Sequence, residues 1–322
     1  MAVISIQLVT HNCDSTLEAC LKSIFSQSYR QYAVFAVDNN SSDNTIKILK
    51  KYRVKYYQNS DNAGYARGHN QALSLTQSEV VVLLNPDIKL DGHFLRQVMR
   101  EFYPQVLEKR VGSASGKLIR VNSFKDKNGV IDGLGLFMRR DRKQGLLSEH
   151  KPSFTKKKPF PIFGPDGAAP VYLRKMLDDV AINGEVFDED FYINKEDIDL
   201  CWRAQLLGWR SIAIPTAVAY HIRSFRPGIK NRTRVNITIR KCAVRNRYLM
   251  IIKNDQVRLL LQDARYIIWY EIKLFLFLLI WERSSLVGYL EAVKLLPKML
   301  QKRNIIQSRR AISVKKIQQW FV

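Results

Sequence analysis

The sequence predicts an α/β protein, a mostly parallel sheet flanked by helices that gives way to a basic, helical C-terminal region near residue 222. Three observations carry that prediction. The first ninety residues alternate short apolar runs with amphipathic stretches, the pattern of parallel strands joined by crossover helices. With 322 residues, 46% hydrophobic and 25% charged, the chain can bury a full core and exceeds most single domains. Its charge is uneven: of the net +23, residues 223–322 carry +17 (22 Lys or Arg against 5 Asp or Glu), leaving +6 for residues 1–222.

The elements follow in order. VISIQLV (3–9) reads as the first strand, and the helix after it has Ser15 and Glu18 spaced as a capping box, with Leu17, Leu21, Ile24 and Phe25 along one face. YAVFAV is a second strand ending at Asp38, VKYY a third, and EVVVLL a fourth ending at Asn85-Pro86-Asp87. Thr45 to Tyr52 and Tyr65 to Leu75 suit helices. Ligands of open α/β sheets collect outside the carboxyl ends of the strands, so Asp38 and Asp87 are expected on one rim.

The stretch from Asn122 to Pro161, rich in Lys, Gly and Pro, reads as a connecting or lid-like segment, and FGPDGAAPVYLR as a glycine-rich turn. NKEDIDLCWRAQLLGWR is a helix that opens with acids and closes near Gly208, and His221 follows the strand WRSIAIP. This divides the chain into residues 1–222 and 223–322. In the second part, Ile267 to Trp281 is the most hydrophobic window, but Glu271 and Lys273 interrupt it. It falls short of the roughly 20 apolar residues of a spanning helix, so it is expected to lie on or dip into a membrane interface.

MAVISIQLVTHN lacks the basic start of a cleavable signal, which predicts a cytosolic protein. Cys13, Cys20, Cys201 and Cys242 have neither zinc-site nor disulfide-framework spacing and read as small apolar residues. The basic C-terminal part calls for an anionic partner. Its cations interleave with aliphatic runs and lack a nucleic-acid motif, so an anionic membrane surface is expected and nucleic acid is not.

Four groups of residues can carry chemistry. Asp38, in VDNNSSDNT, can accept from a pyrimidine ring N–H or a ribose hydroxyl, although Asn40, Ser42 and Asp43 also suit a helix start. Asp87, in LLNPDIKL, is a hard oxygen ligand for Mg2+ or Mn2+, or belongs to a plain turn. Asp197, beside Glu196 and Asp199, reads as a general base or as one of three acids favoured at a helix N-terminus. His221 is a ligand for Mn2+, a partner for phosphate, or structural. GPDGAA supplies small residues, Gly167 and Ala168 among them, where a backbone approaches a ligand closely.

VTHN, LKSIFSQ, VDNNSSDNT, NAGYARGHNQA, LLNPD, GPDGAAPVYLR and FDEDFYINKEDIDLCWRAQLLGW, taken in order over residues 3–221, resemble glycosyltransferase family 2 and its rhamnosyltransferase-like branch. His11 replaces the tyrosine of that family's VTYN, and Asn85-Pro86-Asp87 stands for its Asp-x-Asp. The resemblance implies the GT-A fold, a Rossmann-like sheet, and an inverting, metal-dependent transferase. It implies nucleotide binding by Thr10, Asn12, Asp38 and the Asn62 to Arg67 segment with Gly64, metal and diphosphate binding by Asp87 with His221, and Asp197 as catalytic base. The acceptor and sugar are assigned to Gly167, Ala168, Glu196, Asp199 and Trp202. The expected function is transfer of rhamnose from dTDP-rhamnose, or of another dTDP- or UDP-sugar, to a polyprenyl-diphosphate-linked glycan at the inner face of the cell membrane, in cell-surface polysaccharide assembly such as that of O-antigen. Oligomeric state is left open.

Overall fold

The structure, a computed structural model, describes residues 3–126, 129–223 and 235–322. Its sheet is built on β1 (Ile4–Thr10), β2 (Tyr32–Asp38), β3 (Lys55–Gln58) and β4 (Val80–Leu83), with α1 (Asp14–Phe25), α2 (Thr45–Lys51) and α3 (Gly64–Leu75) as the crossovers. β1 lies between β2 and β4, parallel to both, and β3 extends the parallel set. Every residue of β4 is buried, which is why it reads as an uninterrupted apolar run instead of an alternating one.

β5 (Ile88–Leu90), α4 (Phe94–Glu101) and α5 (Tyr103–Lys109) lead to the long β6 (Val111–Arg120). The segment read as a connection is structured: it holds β7 (Val130–Gly133), the hairpin strands β8 (Leu136–Met138) and β9 (Gln144–Leu146), and the start of β10 (Phe160–Ile162). Inside the glycine-rich string, Pro170–Leu173 forms β11, antiparallel to both β4 and β6, and all four of its residues are buried. α6 (Arg174–Val180), α7 (Glu196–Leu206) and β12 (Arg210–His221) complete the α/β part. The main sheet runs β10-β12-β6-β11-β4-β1-β2-β3. β12 continues past Pro215 because its register with β6 shifts between Ile214 and Val218, and a bulge tolerates the missing N–H.

The Ser15–Glu18 capping box does not form. α1 begins at Asp14 after Cys13, and its first donors are satisfied from the loop before α2: Thr45 Oγ1 accepts from Cys13 N at 3.0 Å and Asp43 Oδ2 from Asp14 N at 3.0 Å. Glu18 instead pairs with Lys22 and Lys51. Phe25 is exposed and stacks on Tyr52. All four cysteines are buried and free.

The C-terminal region comprises α8 (Ile237–Asn254), α9 (Val257–Gln262), α10 (Ala264–Trp281), α11 (Val287–Ser308) and α12 (Val314–Gln318). One apolar cluster joins β1, β4 and α7 to Leu249, Met250, Met299, Ile306 and Phe321, so α8 and α11 bury their inner faces in the same core as the sheet. α10 buries only Leu278. No described helix is long and apolar enough to cross a membrane.

Candidate active site

The carboxyl ends of β1 and β2 bring Thr10 and Asp38 into register. Thr10 Oγ1 donates to Asp38 Oδ1 at 2.8 Å, and the buried Asp38 carboxylate also accepts from Ser41 N at 2.9 Å and Ser41 Oγ at 2.6 Å. Asn12, with left-handed backbone (φ 47°), accepts from Ser42 N at 2.8 Å. Asn39 donates to Gly64 O at 3.0 Å, tying this rim to the turn in which Asn62 Oδ1 accepts from Gly64 N at 3.0 Å. Gly64 has φ +81°, and a Cβ there would run into the Tyr192 ring. Five of the six expected nucleotide residues are thus linked through short contacts; Arg67 is exposed on α3, outside that set.

A cavity of about 480 Å³ opens beside this rim, lined by Asn85, Asp166, Gly167, Glu196, Asp197 and His221 among others. Its floor is the GPDGAA turn. Asn85 N donates to Ala168 O at 2.9 Å, Tyr65 Oη to Gly167 O at 2.8 Å, and Ala168 N to Asp166 Oδ1 at 2.7 Å. Gly167 sits against Asp197, whose Oδ2 accepts from Gly167 N at 3.1 Å and whose Oδ1 accepts from Ile198 N at 2.7 Å.

The two acids opening α7 differ in what surrounds them. Burial first, then the neighbouring Asp166 carboxylate, raises Asp197 above its ordinary value, while the two backbone N–H groups hold its charged form. Glu196 has a buried oxygen, Oε2, without a hydrogen-bond partner, and burial followed by Asp197 pushes its pKa up to about 8. Both acids therefore hold a proton more tightly than ordinary carboxyls, and they differ in that two backbone N–H groups favour the charged form of Asp197 while Glu196 Oε2 has no such partner. Because the folded value of Glu196 lies above the unfolded one, its stabilising contribution is complete below the ordinary glutamate range and is lost as pH rises toward about 8. Glu196→Gln should flatten that decline in a plot of melting temperature against pH; an unchanged slope would mean another group carries it.

On another wall, His221 at the end of β12 presents Nε2 to Asp87 Oδ2 at 3.5 Å, and its Nδ1 meets Asp132 Oδ2 at 2.7 Å. Burial pulls the imidazole down, but its bonds to Asp132 and Asp87 carry it up to about 9. Asp87 Oδ1 is buried without a hydrogen-bond partner, as expected of an oxygen oriented for a cation. Asp87 and His221 Nε2 would be a two-donor set with Asp132 fixing the ring from behind, for a metal completed by ligand oxygens and water that displaces the proton the two carboxylates hold on the imidazole. Among the described residues, no group of three or more His, Cys, Asp or Glu makes a full cage. Arg223 bridges Asp132 (2.8 Å) and Asp166 (3.3 Å) at the cavity edge.

Asp132 and Arg223 were missed in the sequence. Asp132 lies in the segment read as a connection, and only its place in the apolar run VIDG hints at burial.

Two expected acceptor residues lie elsewhere. Asp199 is wholly buried and accepts from Arg203 Nε at 3.1 Å, Lys253 Nζ at 3.0 Å and Asn254 Nδ2 at 2.8 Å, so it faces the C-terminal helices and not the cavity. Trp202 is 1% exposed and packs edge-on against Phe163 and Phe321 as part of the core.

The architecture places the chain in the GT-A class. It superposes on Staphylococcus aureus TarS 1-349 in complex with UDP with a TM-score of 0.57 at 18% identity, covering 95% of this chain and 90% of that one. The match to GalNAc-T7 with UDP, GalNAc and Mn2+ has a TM-score of 0.59 at 14% identity, covering 79% and 48%. The sequence comparison points the same way: residues 5–107, about a third of the chain, match Glycosyl transferase family 2. It is 31% identical over 114 residues to EpsE of Bacillus subtilis, covering 34% of this chain and 37% of that protein. Over 90 residues it is 29% identical to the Escherichia coli UDP-Glc:alpha-D-GlcNAc-diphosphoundecaprenol beta-1,3-glucosyltransferase WfaP, covering 27% and 36%. The matched part spans little more than a third of either relative. Neither EpsE nor WfaP is named for rhamnose, so the rhamnosyltransferase-like branch rests on the sequence motifs alone.

Proposed function

We propose that the protein is an inverting, metal-assisted glycosyltransferase that moves a sugar from a nucleoside diphosphate to a lipid-linked glycan. The observation that carries this reading is that Asp197, one acid of a buried carboxyl pair, and His221, the partner of Asp87, line one cavity together with Tyr65, the residue after the Gly64 turn that Asn39 ties to the rim of Thr10 and Asp38. Asp197 takes the proton of the acceptor hydroxyl as that oxygen attacks the anomeric carbon. The bond from that carbon to the diphosphate oxygen breaks with its electrons, and attack opposite to it inverts the centre. Asp87 and His221 would hold a divalent cation, Mg2+ or Mn2+, which when bound would supply neutralisation of the departing charge. Asp132 keeps the imidazole oriented, and Gly167 leaves room for the sugar beside the base.

For the acceptor, the name of WfaP, with its diphosphoundecaprenol glycan, supports a polyprenyl-diphosphate-linked substrate. The same name gives UDP-Glc as donor, so UDP-sugars stand beside dTDP-rhamnose as candidates.

Calorimetric titration with dTDP and UDP, each with and without Mn2+, tests the donor site. Binding should require the metal, and Asp87→Ala should weaken it by about 10- to 100-fold or more, as loss of a group that holds a metal does. Equal binding without metal and in the variant would overturn the assignment of Asp87.

A further inference from the structure

Residues 257–300 contain fifteen of the twenty-one exposed large hydrophobic side chains among the described residues. On α10 they form a broad stripe. Ile268, Ile272, Phe275 and Leu279 follow one another at spacings of three and four, with Trp269 and Ile280 beside them, each 42–63% exposed. Leu290 and Val293 on α11 are 64% and 66% exposed. So large an apolar surface is rare on a protein that keeps it in water.

The charges of this segment are sorted by sign. All four of its acids pair with arginines, Asp263 and Glu282 buried and Glu271 and Glu291 part-buried: Asp263 with Arg140 at 2.6 Å, Glu271 with Arg247 at 2.8 Å, Glu282 with Arg240 at 3.8 Å and Glu291 with Arg245 at 3.3 Å. Arg258, Arg265, Lys273, Arg283 and Lys294 are exposed. The segment's acids are thus neutralised by arginines, and the exposed charge that borders the apolar stripe is positive.

We infer that the outer face of α10, continued by α9 and α11, docks the protein on an anionic bilayer surface, with the helices lying in the plane of the interface. An apolar stripe edged by cations matches the boundary between acyl chains and acidic headgroups. Trp269 and Trp281, both more than half exposed, have the amphipathic rings that settle at that depth. At 18 residues, α10 is about 27 Å long, shorter than a hydrocarbon core of about 30 Å.

Docking fixes the site as well as the helix. Arg140 joins Asp263 and Tyr266 at the start of α10 to the turn between β8 and β9, and Arg142 in the same turn binds Asp255 and Asp263. β9 supplies Gln144, Gly145 and Leu146 to the cavity wall. A bilayer-bound α10 thus holds one wall of the acceptor cavity in register with the membrane, a consequence that rests on the lipid-linked acceptor proposed above.

The test is co-sedimentation of the full chain with phosphatidylcholine vesicles, plain or containing about one third phosphatidylglycerol. The protein should pellet with the acidic vesicles, stay in solution with the neutral ones, and be released by salt. Ile272→Glu with Ile280→Glu, both at exposed positions, should weaken binding by at least about tenfold without lowering the melting temperature, and Lys273→Gln with Lys294→Gln should weaken it in acidic vesicles. Wild-type protein left in the supernatant would overturn the inference, as would variants that bind unchanged. So would a soluble dimer, seen by light scattering, that the glutamate pair dissociates, because the face would then join two copies of the chain. Turnover of nucleotide sugar with a soluble acceptor is read separately: vesicle binding without turnover sinks the catalytic reading alone, and turnover without vesicle binding sinks the docking alone.

Discussion

Asp197→Asn should lower sugar transfer about a thousandfold, within the range that loss of a positioned general base produces, and leave nucleotide affinity unchanged. Asparagine keeps the shape and its single oxygen can still accept from one of Gly167 N and Ile198 N, which bond to different oxygens of the carboxylate, but it cannot take a proton. The paired measurement is a single-turnover rate alongside a nucleotide titration. Loss of both would mark Asp197 as a structural support of the GPDGAA turn, and loss of neither would move the base elsewhere. The acid side of the pH–rate profile gives a second readout. Asp197 must be ionised to act, and burial followed by Asp166 raises its pKa. Activity should therefore fall as pH drops through a value above the ordinary aspartate range, and Asp166→Asn should move that limb to lower pH.

Arg142→Ala should cost about 3–5 kcal/mol of folding stability, the range for breaking a buried ion pair by removing one partner. The Arg142 side chain is fully buried and serves two carboxylates, Asp255 at 2.6 Å and Asp263 at 2.7 Å. It also lies over the Phe321 ring at 4.3 Å. Without the guanidinium, both acids are left buried without that cation, and the β8–β9 turn loses its anchor. Urea denaturation followed by tryptophan fluorescence measures the loss. Arg142→Lys should recover only part of it, because a single ammonium cannot reproduce the planar fork. A change within a few tenths of a kcal/mol, as at an exposed surface position, would show that the turn is held by its backbone alone.

The parallel half of the sheet was legible because its central strands, β1 and β4, are covered on both faces: VVVL in β4 admits few other readings, and Asp38 and Asp87 follow apolar runs. In the other half only WRSIAIP, the start of β12, was read as a strand. β6, VGSASGKLIR, is buried through small and polar residues, with Ser113 and Ser115 nearly inaccessible and Ser113 Oγ bonded to Ser211 Oγ at 2.7 Å. Small buried residues satisfied by hydrogen bonds leave no hydrophobic pattern to read.

The same limit hid Asp132, whose partners Arg120, His221 and Arg223 come from distant positions. Asp199, grouped with Asp197 in the sequence, faces away from it, since two residues along a helix turn the side chain by about 200°. One acid of that pair lines the cavity, and the other binds α8 from behind. The membrane expectation came from composition, whereas the pairing of every acid in the segment 257–300 with an arginine is visible only in three dimensions.

The network behind α7 also bears on how the molecule opens. Lys253 of α8 reaches both Asp188 and Asp199, Lys302 of α11 reaches Asp188 at 2.6 Å, and Arg203 of α7 closes the set on Asp199. Each of these side chains is at most 5% exposed, so parting any two elements strands a charge away from water. Local fluctuation in one helix alone is therefore expensive, and α7, α8 and the second half of α11 should release their amide hydrogens to deuterium at one common rate, as a single cooperative unit. The acids that open α7 are then held as steadily as the protein's deepest core, and substrate entry must be accommodated by movement of the loops around them.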